Sequence, residues 1–243
     1  MKDTLYIKKV LLERFNKSLV GGQKGMEAGI LMIKSIDDIS TETKKQISVE
    51  SNIAEICFLE ELSKNEYKVE YYKKDQKIPF CGHVSLACCD LLKKNIRLIY
   101  DENKFVDLIY SDNKSYMKIN KEKTFCENLS ENIKYNKDQD KYICKLNDIN
   151  SLYSLDINKL DFYKNKGVFF YTIKNDKCLA RFFRNTIEDP IHLSAIKILL
   201  NEENFNSVKF VESGIDINID IKSDHFNITT EIFINKNVIT PKL

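Results

Sequence analysis

Glycine, proline and histidine are scarce in this 243-residue chain, at seven, three and three residues, and tryptophan is absent. The seven cysteines form no CxxC pair and are odd in number. That spacing gives no zinc-site pattern and no disulfide framework. Several cysteines sit in apolar runs, so they read as reduced, buried thiols of a cytoplasmic protein. No apolar run approaches membrane-spanning length, and Met1 to Tyr6 begin no long apolar h-region. Lys+Arg 38 against Asp+Glu 36 leaves a net charge of +2, with the lysines scattered. Such a balance makes no electrostatic case for nucleic acid or a membrane surface as partner. There is no GK[ST] phosphate loop and no G-x-S-x-G elbow. What remains is a globular composition, long enough for one large domain or two small ones.

Against that scarcity, one glycine, one histidine and one proline meet within five positions of Ile78-Pro79-Phe80-Cys81-Gly82-His83-Val84-Ser85-Leu86-Ala87-Cys88-Cys89. The segment from His83 to Leu92 is small and apolar, the pattern of a helix buried on every side. Its first turn presents free N–H groups beside Gly82, a seat for a carboxylate, and His83 can exchange a proton near neutral pH. The stretch reads as one wall of a site.

Upstream, Tyr6 to Arg14 and Ala28 to Ile33 read as strands flanking Gly21-Gly22-Gln23-Lys24-Gly25, with Gly29 close behind that cluster. Ser40 is a good N-cap for a helix to Val49, with Glu42 in its first turn. Asn52 to Leu59 is an apolar strand that contains Glu55. A carboxylate there is either exposed by alternation or held for chemistry. Tyr67 to Tyr72 is a further strand. The polar stretch Asn128 to Lys141 reads as a surface loop. Gly167 to Ile173 and Cys178 to Phe183 pair around Lys174-Asn175-Asp176-Lys177. After them come Glu188-Asp189-Pro190-Ile191-His192-Leu193-Ser194-Ala195, an apolar helix at Ile196 to Leu200, and closing strands at 206–211, 216–222 and 227–234. Strands, a proline turn and an apolar helix thus occur twice, and both helix starts contain His-x-Ser. Two similar α+β halves are expected, 1–115 and 116–243.

Four motifs in order add a resemblance. They are Gly25-Met26-Glu27-Ala28-Gly29-Ile30, Ile47-Ser48-Val49-Glu50-Ser51-Asn52-Ile53-Ala54-Glu55, Pro79-Phe80-Cys81-Gly82-His83-Val84-Ser85-Leu86-Ala87, and Arg181-Phe182-Phe183 with Glu188-Asp189-Pro190 and Ser194-Ala195. Together they resemble the phenazine-biosynthesis PhzF-like isomerase family, which has the diaminopimelate-epimerase fold. The resemblance implies two β-barrel-like halves, each around a central helix, with the site in the cleft between them. It implies acid/base roles for Glu55, His83 and Asp189, and substrate binding by Gly82, Ser194 and Gly25. No cofactor and no metal are implied, and relatives are often dimers. Cys57 and Cys81 read as packing residues.

The chain departs from the family where Leu193 replaces a glycine, where Lys73-Lys74 replace Thr-Pro, and where Lys77 replaces Glu. The C-terminal glycines and an arginine are also missing. The acid/base residue types survive while much of the substrate cradle does not. The expected activity is a cofactor-independent isomerase that moves a proton on a small carboxylate-bearing metabolite, with a true racemase, using Glu55 and Asp189 as two bases, as a variant. The alternative is a non-catalytic small-molecule binder or scaffold. Hydrolysis by Ser194 is disfavoured, because His192 is too near in sequence to face it on a helix.

Overall fold

The structure is a computed structural model that describes residues 6–11, 27–120, 126–137, 140–156, 166–184, 187–189, 193–200, 203, 205, 207–210, 216–230 and 233–238. The chain divides into two compact units, Met1–Ile119 with Thr229–Leu243, and Asn120–Ile228.

In the first unit, β1 (Tyr6–Leu11) lies antiparallel to β2 (Glu27–Ile33) and to the strand Phe233–Val238. Helix α1 (Thr41–Glu50) follows, capped as its sequence suggests: the Ser40 hydroxyl accepts from the Thr43 N–H at 3.1 Å. It leads to β3 (Glu55–Ser63), which runs parallel to β2. β3 pairs antiparallel with β4 (Glu66–Lys73), and β4 with β5 (Gln76–Ile78). Helix α2 (Gly82–Leu92) is then followed by β6 (Ile96–Asp101), parallel to β4, and by the meander of β7 (Lys104–Ser111) and β8 (Lys114–Asn120).

The first five residues of β3, Glu55 to Leu59, are covered on both faces. Ile56 and Phe58 join Leu31, Ile36, Ile47, Ile53 and Tyr72 in a core cluster that includes α1. By the two-residue alternation of a strand, Glu55 and Cys57 point the other way. There Cys57 meets Cys88 of α2, sulfur to sulfur at 3.5 Å. Every residue of α2 from His83 to Asp90 is buried, as a helix apolar all round requires. The helix ends at Lys93, whose left-handed backbone (φ 55°) lets its N–H return to the Cys89 carbonyl.

The second unit repeats this plan. β9 (Glu127–Asn128) and β10 (Ile133–Asn136) lead to β11 (Lys141–Lys145), α3 (Ile149–Tyr153) and β12 (Gly167–Lys174), which is parallel to β11. β12 pairs antiparallel with β13 (Lys177–Arg184), and β13 with β14 (Ile187–Asp189). Helix α4 (Leu193–Leu200) precedes β15 (Ser207–Phe210), parallel to β13, with β16 (Asp216–Ile221) antiparallel beside it and β17 (His225–Thr230) after. The β12–β13 turn places Asn175 and Asp176 at positive φ (50° and 56°), the mirror-image turn a tight hairpin favours. The order parallel strand, helix, strand, hairpin, short strand, helix, parallel strand therefore occurs twice. That agrees with the expected α+β fold of two similar halves.

One segment differs from its polar reading. Within 128–141, β10 pairs with β11, Ile133 opposite Cys144 and Tyr135 opposite Tyr142. Ile133 and Tyr135 pack on the cluster of Tyr142, Cys144, Leu152, Val168, Phe170, Leu179 and Phe183, and Asn136 is buried. Two apolar side chains at alternate positions suffice to seat an otherwise polar strand.

Gly29 sits opposite Ile56, where an added Cβ would come within 2.6 Å of Ile56 Cγ2 and 3.2 Å of Ile53 Cδ1. A γ-methyl on a β-branched side chain cannot swing away cheaply. Gly29→Ala is therefore expected to destabilise by about 1–3 kcal/mol through overpacking, read as a lower Tm and an earlier denaturant midpoint.

Candidate active site around Glu55

The candidate site in the first unit is assembled by three adjoining pieces of backbone. Glu55 begins β3; Lys73 ends β4; Cys81 and His83 open α2. The β3–β4 register places Ile56 opposite Tyr72, and one further step brings Glu55 opposite Lys73 as a cross-strand pair. The Lys73 ammonium lies 3.0 Å from Glu55 Oε1. His83 Nε2 lies 3.0 Å from the other oxygen, Oε2. The Cys81 thiol donates to that same oxygen at 3.5 Å and touches His83 Nδ1 at 3.2 Å.

Glu55 is only 6% exposed, and so are His83 and Cys81. Lys73 reaches the group from solvent, its side chain 50% exposed. Alternation thus does not expose Glu55, because α2 covers the face on which it lies. Burial alone pushes the Glu55 carboxyl upward. Electrostatic attraction from His83 and Lys73, with hydrogen bonds from Lys73 and Cys81, more than offsets it and leaves its pKa below the ordinary 4.5. The group is therefore a buried carboxylate in its ionised form.

The turn that holds Cys81 and His83 is fixed from behind. Cys81 is the extended N-cap residue of α2, with φ −136° and no side-chain cap of its own. Its carbonyl accepts both the Ser85 hydroxyl at 2.7 Å and the Ser85 N–H at 3.1 Å. With its proton so committed, Ser85 Oγ accepts from the Tyr71 hydroxyl at 2.7 Å. Burial raises the Tyr71 phenol well above its usual range, so it stays a donor. Phe80 packs edge-on against Tyr71 and beside Tyr100. A chain of hydrogen bonds from β4 thus sets the start of α2, and with it the distance from His83 to Glu55.

The other sequence-derived residues are placed less completely. Gly82 is the first residue of α2, next to His83. Asp189 ends β14 and Ser194 is the second residue of α4, directly after Leu193; these are backbone positions in the second unit, and their side chains lie outside the described residues. Gly25, with the glycines at 21 and 22, Pro190 and His192 also lie outside them. Two residues of the site came from elsewhere. Cys81, read from sequence as packing, contacts both Glu55 and His83, and Lys73, noted only as a departure, pairs with Glu55. Cys57 fits the packing reading: burial, and then Cys88 beside it, drive its thiol far upward. Arg181 of the fourth motif is buried and donates to the Leu152 and Leu155 carbonyls at 3.1 and 3.2 Å, closing the end of α3.

Because the folded pKa of Glu55 lies below 4.5, the group stabilises the fold fully above about pH 4.5 and loses that contribution as pH falls below it. Glu55→Gln should flatten this acid limb of the stability profile. Lys73→Met removes both the charge and the hydrogen bond by which Lys73 holds the pKa down, so the Glu55 side-chain carbon, followed by NMR, is expected to titrate at higher pH. A titration unchanged in Lys73→Met would show that the pair does not set the charge state.

No protein-family model matches the sequence, and no curated protein matches it. Solved structures do match it. A Clostridium difficile strain 630 protein described as phenazine biosynthesis PhzC/PhzF superposes with a TM-score of 0.74 at 18% identity, over 98% of this chain and 100% of that one. A PhzF-family protein of Enterococcus faecalis gives 0.74 at 15% identity, over 95% and 97%. A hydroxyproline epimerase of Agrobacterium vitis, solved with bound trans-4-hydroxy-L-proline, gives 0.56 at 10% identity, over 98% and 92%. Together with the repeated topology, these likenesses show that the chain has the PhzF-like, diaminopimelate-epimerase-like α+β fold.

Proposed function

We propose that the protein is a cofactor-independent isomerase that moves a proton on a small carboxylate-bearing metabolite, with Glu55 as the general base and then the general acid. The observation that carries this reading is a carboxylate buried against a helix start and bonded to a histidine and a thiol. The fold likeness to epimerases supports the reaction class.

In this reading Glu55 takes a proton from a carbon made acidic by an adjacent carbonyl or conjugated system and returns it to another carbon on the same face. Lys73, the half-exposed member, is the group a substrate carboxylate meets first. A substrate that draws the ammonium away from Oε1 removes part of what holds the Glu55 pKa down. Burial then raises the pKa, and the carboxylate becomes a stronger base when it is needed. His83 shares Oε2 and can hand a hydrogen bond to the substrate as charge develops on its oxygen. The N–H groups after Gly82 would hold a carboxylate, and the resemblance gives Asp189 and Ser194 orienting roles.

The second reading, a non-catalytic binder, draws on Leu193 at the start of α4, where the resembling family has glycine. Incubation in D₂O with a panel of small carboxylates and amino acids separates the two. The isomerase takes up deuterium into one of them, and Glu55→Gln lowers the rate by ~10²–10⁴-fold, the range for loss of a general acid–base group. Ligands that raise the Tm without any exchange favour the binder. Exchange that persists in Glu55→Gln refutes the role given to Glu55.

A further inference from the structure

The three side chains that meet at Glu55 include a thiol, an imidazole and a carboxylate. One ligand-capable atom from each forms a small triangle: Glu55 Oε2 to His83 Nε2 is 3.0 Å, Cys81 Sγ to Oε2 is 3.5 Å, and Sγ to Nε2 is 3.9 Å. In a tetrahedral Zn(II) site, with Zn–O and Zn–N near 2.0–2.1 Å and Zn–S near 2.3 Å, neighbouring donor atoms stand roughly 3.3–3.6 Å apart. The triangle brackets that spacing, and shifts of a few tenths of an ångström bring it there. We propose that Glu55, Cys81 and His83 form a binding site for Zn(II) or a similar borderline transition ion.

Three features favour such an ion. A mixed S, N, O donor set suits Zn(II) and Co(II), whereas Mg(II) and Ca(II) prefer oxygen alone. All three residues are buried and held on regular elements, Glu55 on β3 and the other two at the start of α2, so little ordering remains to be done on binding. The second carboxylate oxygen is already engaged by Lys73, which orients the ligating oxygen from the outer shell. Three protein ligands leave a fourth position for water or a substrate oxygen. On binding, the thiol proton that now points at Oε2, and any second proton on the imidazole, pass to solvent, so the ion replaces protons within the same triangle.

The consequence for turnover rests on the proton-transfer reading: an ion on Glu55 neutralises the carboxylate that would take the substrate proton, so Zn(II) inhibits. Binding itself does not rest on that reading. Co(II) titrated into the intact protein without substrate tests it directly. The expected result is one Co(II) per chain, with a thiolate-to-cobalt charge-transfer band and the d–d bands of four-coordinate cobalt, displaced by one equivalent of Zn(II).

Cys81→Ala should abolish the charge-transfer band, and Cys81→Ser should do so with the smallest disturbance of packing. Glu55→Gln and His83→Asn should each weaken binding by more than the ~10–100-fold typical of outer-shell changes. Cys126→Ser should leave binding unaltered. Circular dichroism and Tm confirm that each variant is folded. A folded wild type without the band, or a band that survives in Cys81→Ala, overturns the site. Zn(II) binding with undiminished deuterium exchange keeps the site and instead refutes Glu55 as the base.

Discussion

A carboxylate can stay charged inside a protein only if other groups replace the water it has lost. At Glu55 those groups are an ammonium, an imidazole and a thiol, supplied by the end of one strand and the start of one helix. Much of the first unit can be seen as what is required to bring them together. β4 must pair with β3 in a register that puts Lys73 opposite Glu55. The β5 turn must then return the chain so that α2 begins over the same face. Tyr71 and Ser85 fix where that helix starts, because Ser85 donates to the Cys81 carbonyl and Tyr71 donates in turn to the Ser85 hydroxyl.

The second unit repeats the scaffold with other residues at the matching backbone positions. β12 occupies the place of β3 but begins with Gly167 where β3 begins with Glu55. α4 occupies the place of α2 but begins Leu193-Ser194 where α2 begins Gly82-His83. The topology is set by hydrophobic burial and strand pairing, which both halves satisfy with different residues. Fold and site are separable here, and a likeness in fold carries the reaction class only as far as the polar side chains agree.

Much of the frame was legible in the sequence because its signals are local. Ser40 announced the start of α1, Asn175-Asp176 marked the β12–β13 turn, and the small apolar run after Gly82 gave a helix buried all round. The position of Glu55 was not decidable in the same way, since alternation tells which residues share a face and not what covers that face. Only α2, arriving from more than twenty residues away in sequence, makes it an interior group. Lys73 was visible as an unusual residue, yet its partner depends on strand register. Cys81 resembled its buried neighbours. The extended backbone of an N-cap is what turns its sulfur toward Glu55 and His83, and composition has no means of showing that. The β10 strand was lost in its polar surroundings because only Ile133 and Tyr135 tie it to the core.

The half-exposed side chain of Lys73 has one more consequence. Charges buried in a protein are normally insulated from dissolved salt, because counter-ions cannot approach them. Here the ammonium that neutralises an interior carboxylate stands with half its side chain in solvent, where anions crowd around it as ionic strength rises. The interior group thus has a wire to the bulk: the proton affinity of a carboxylate that water scarcely reaches follows the anion content of the medium.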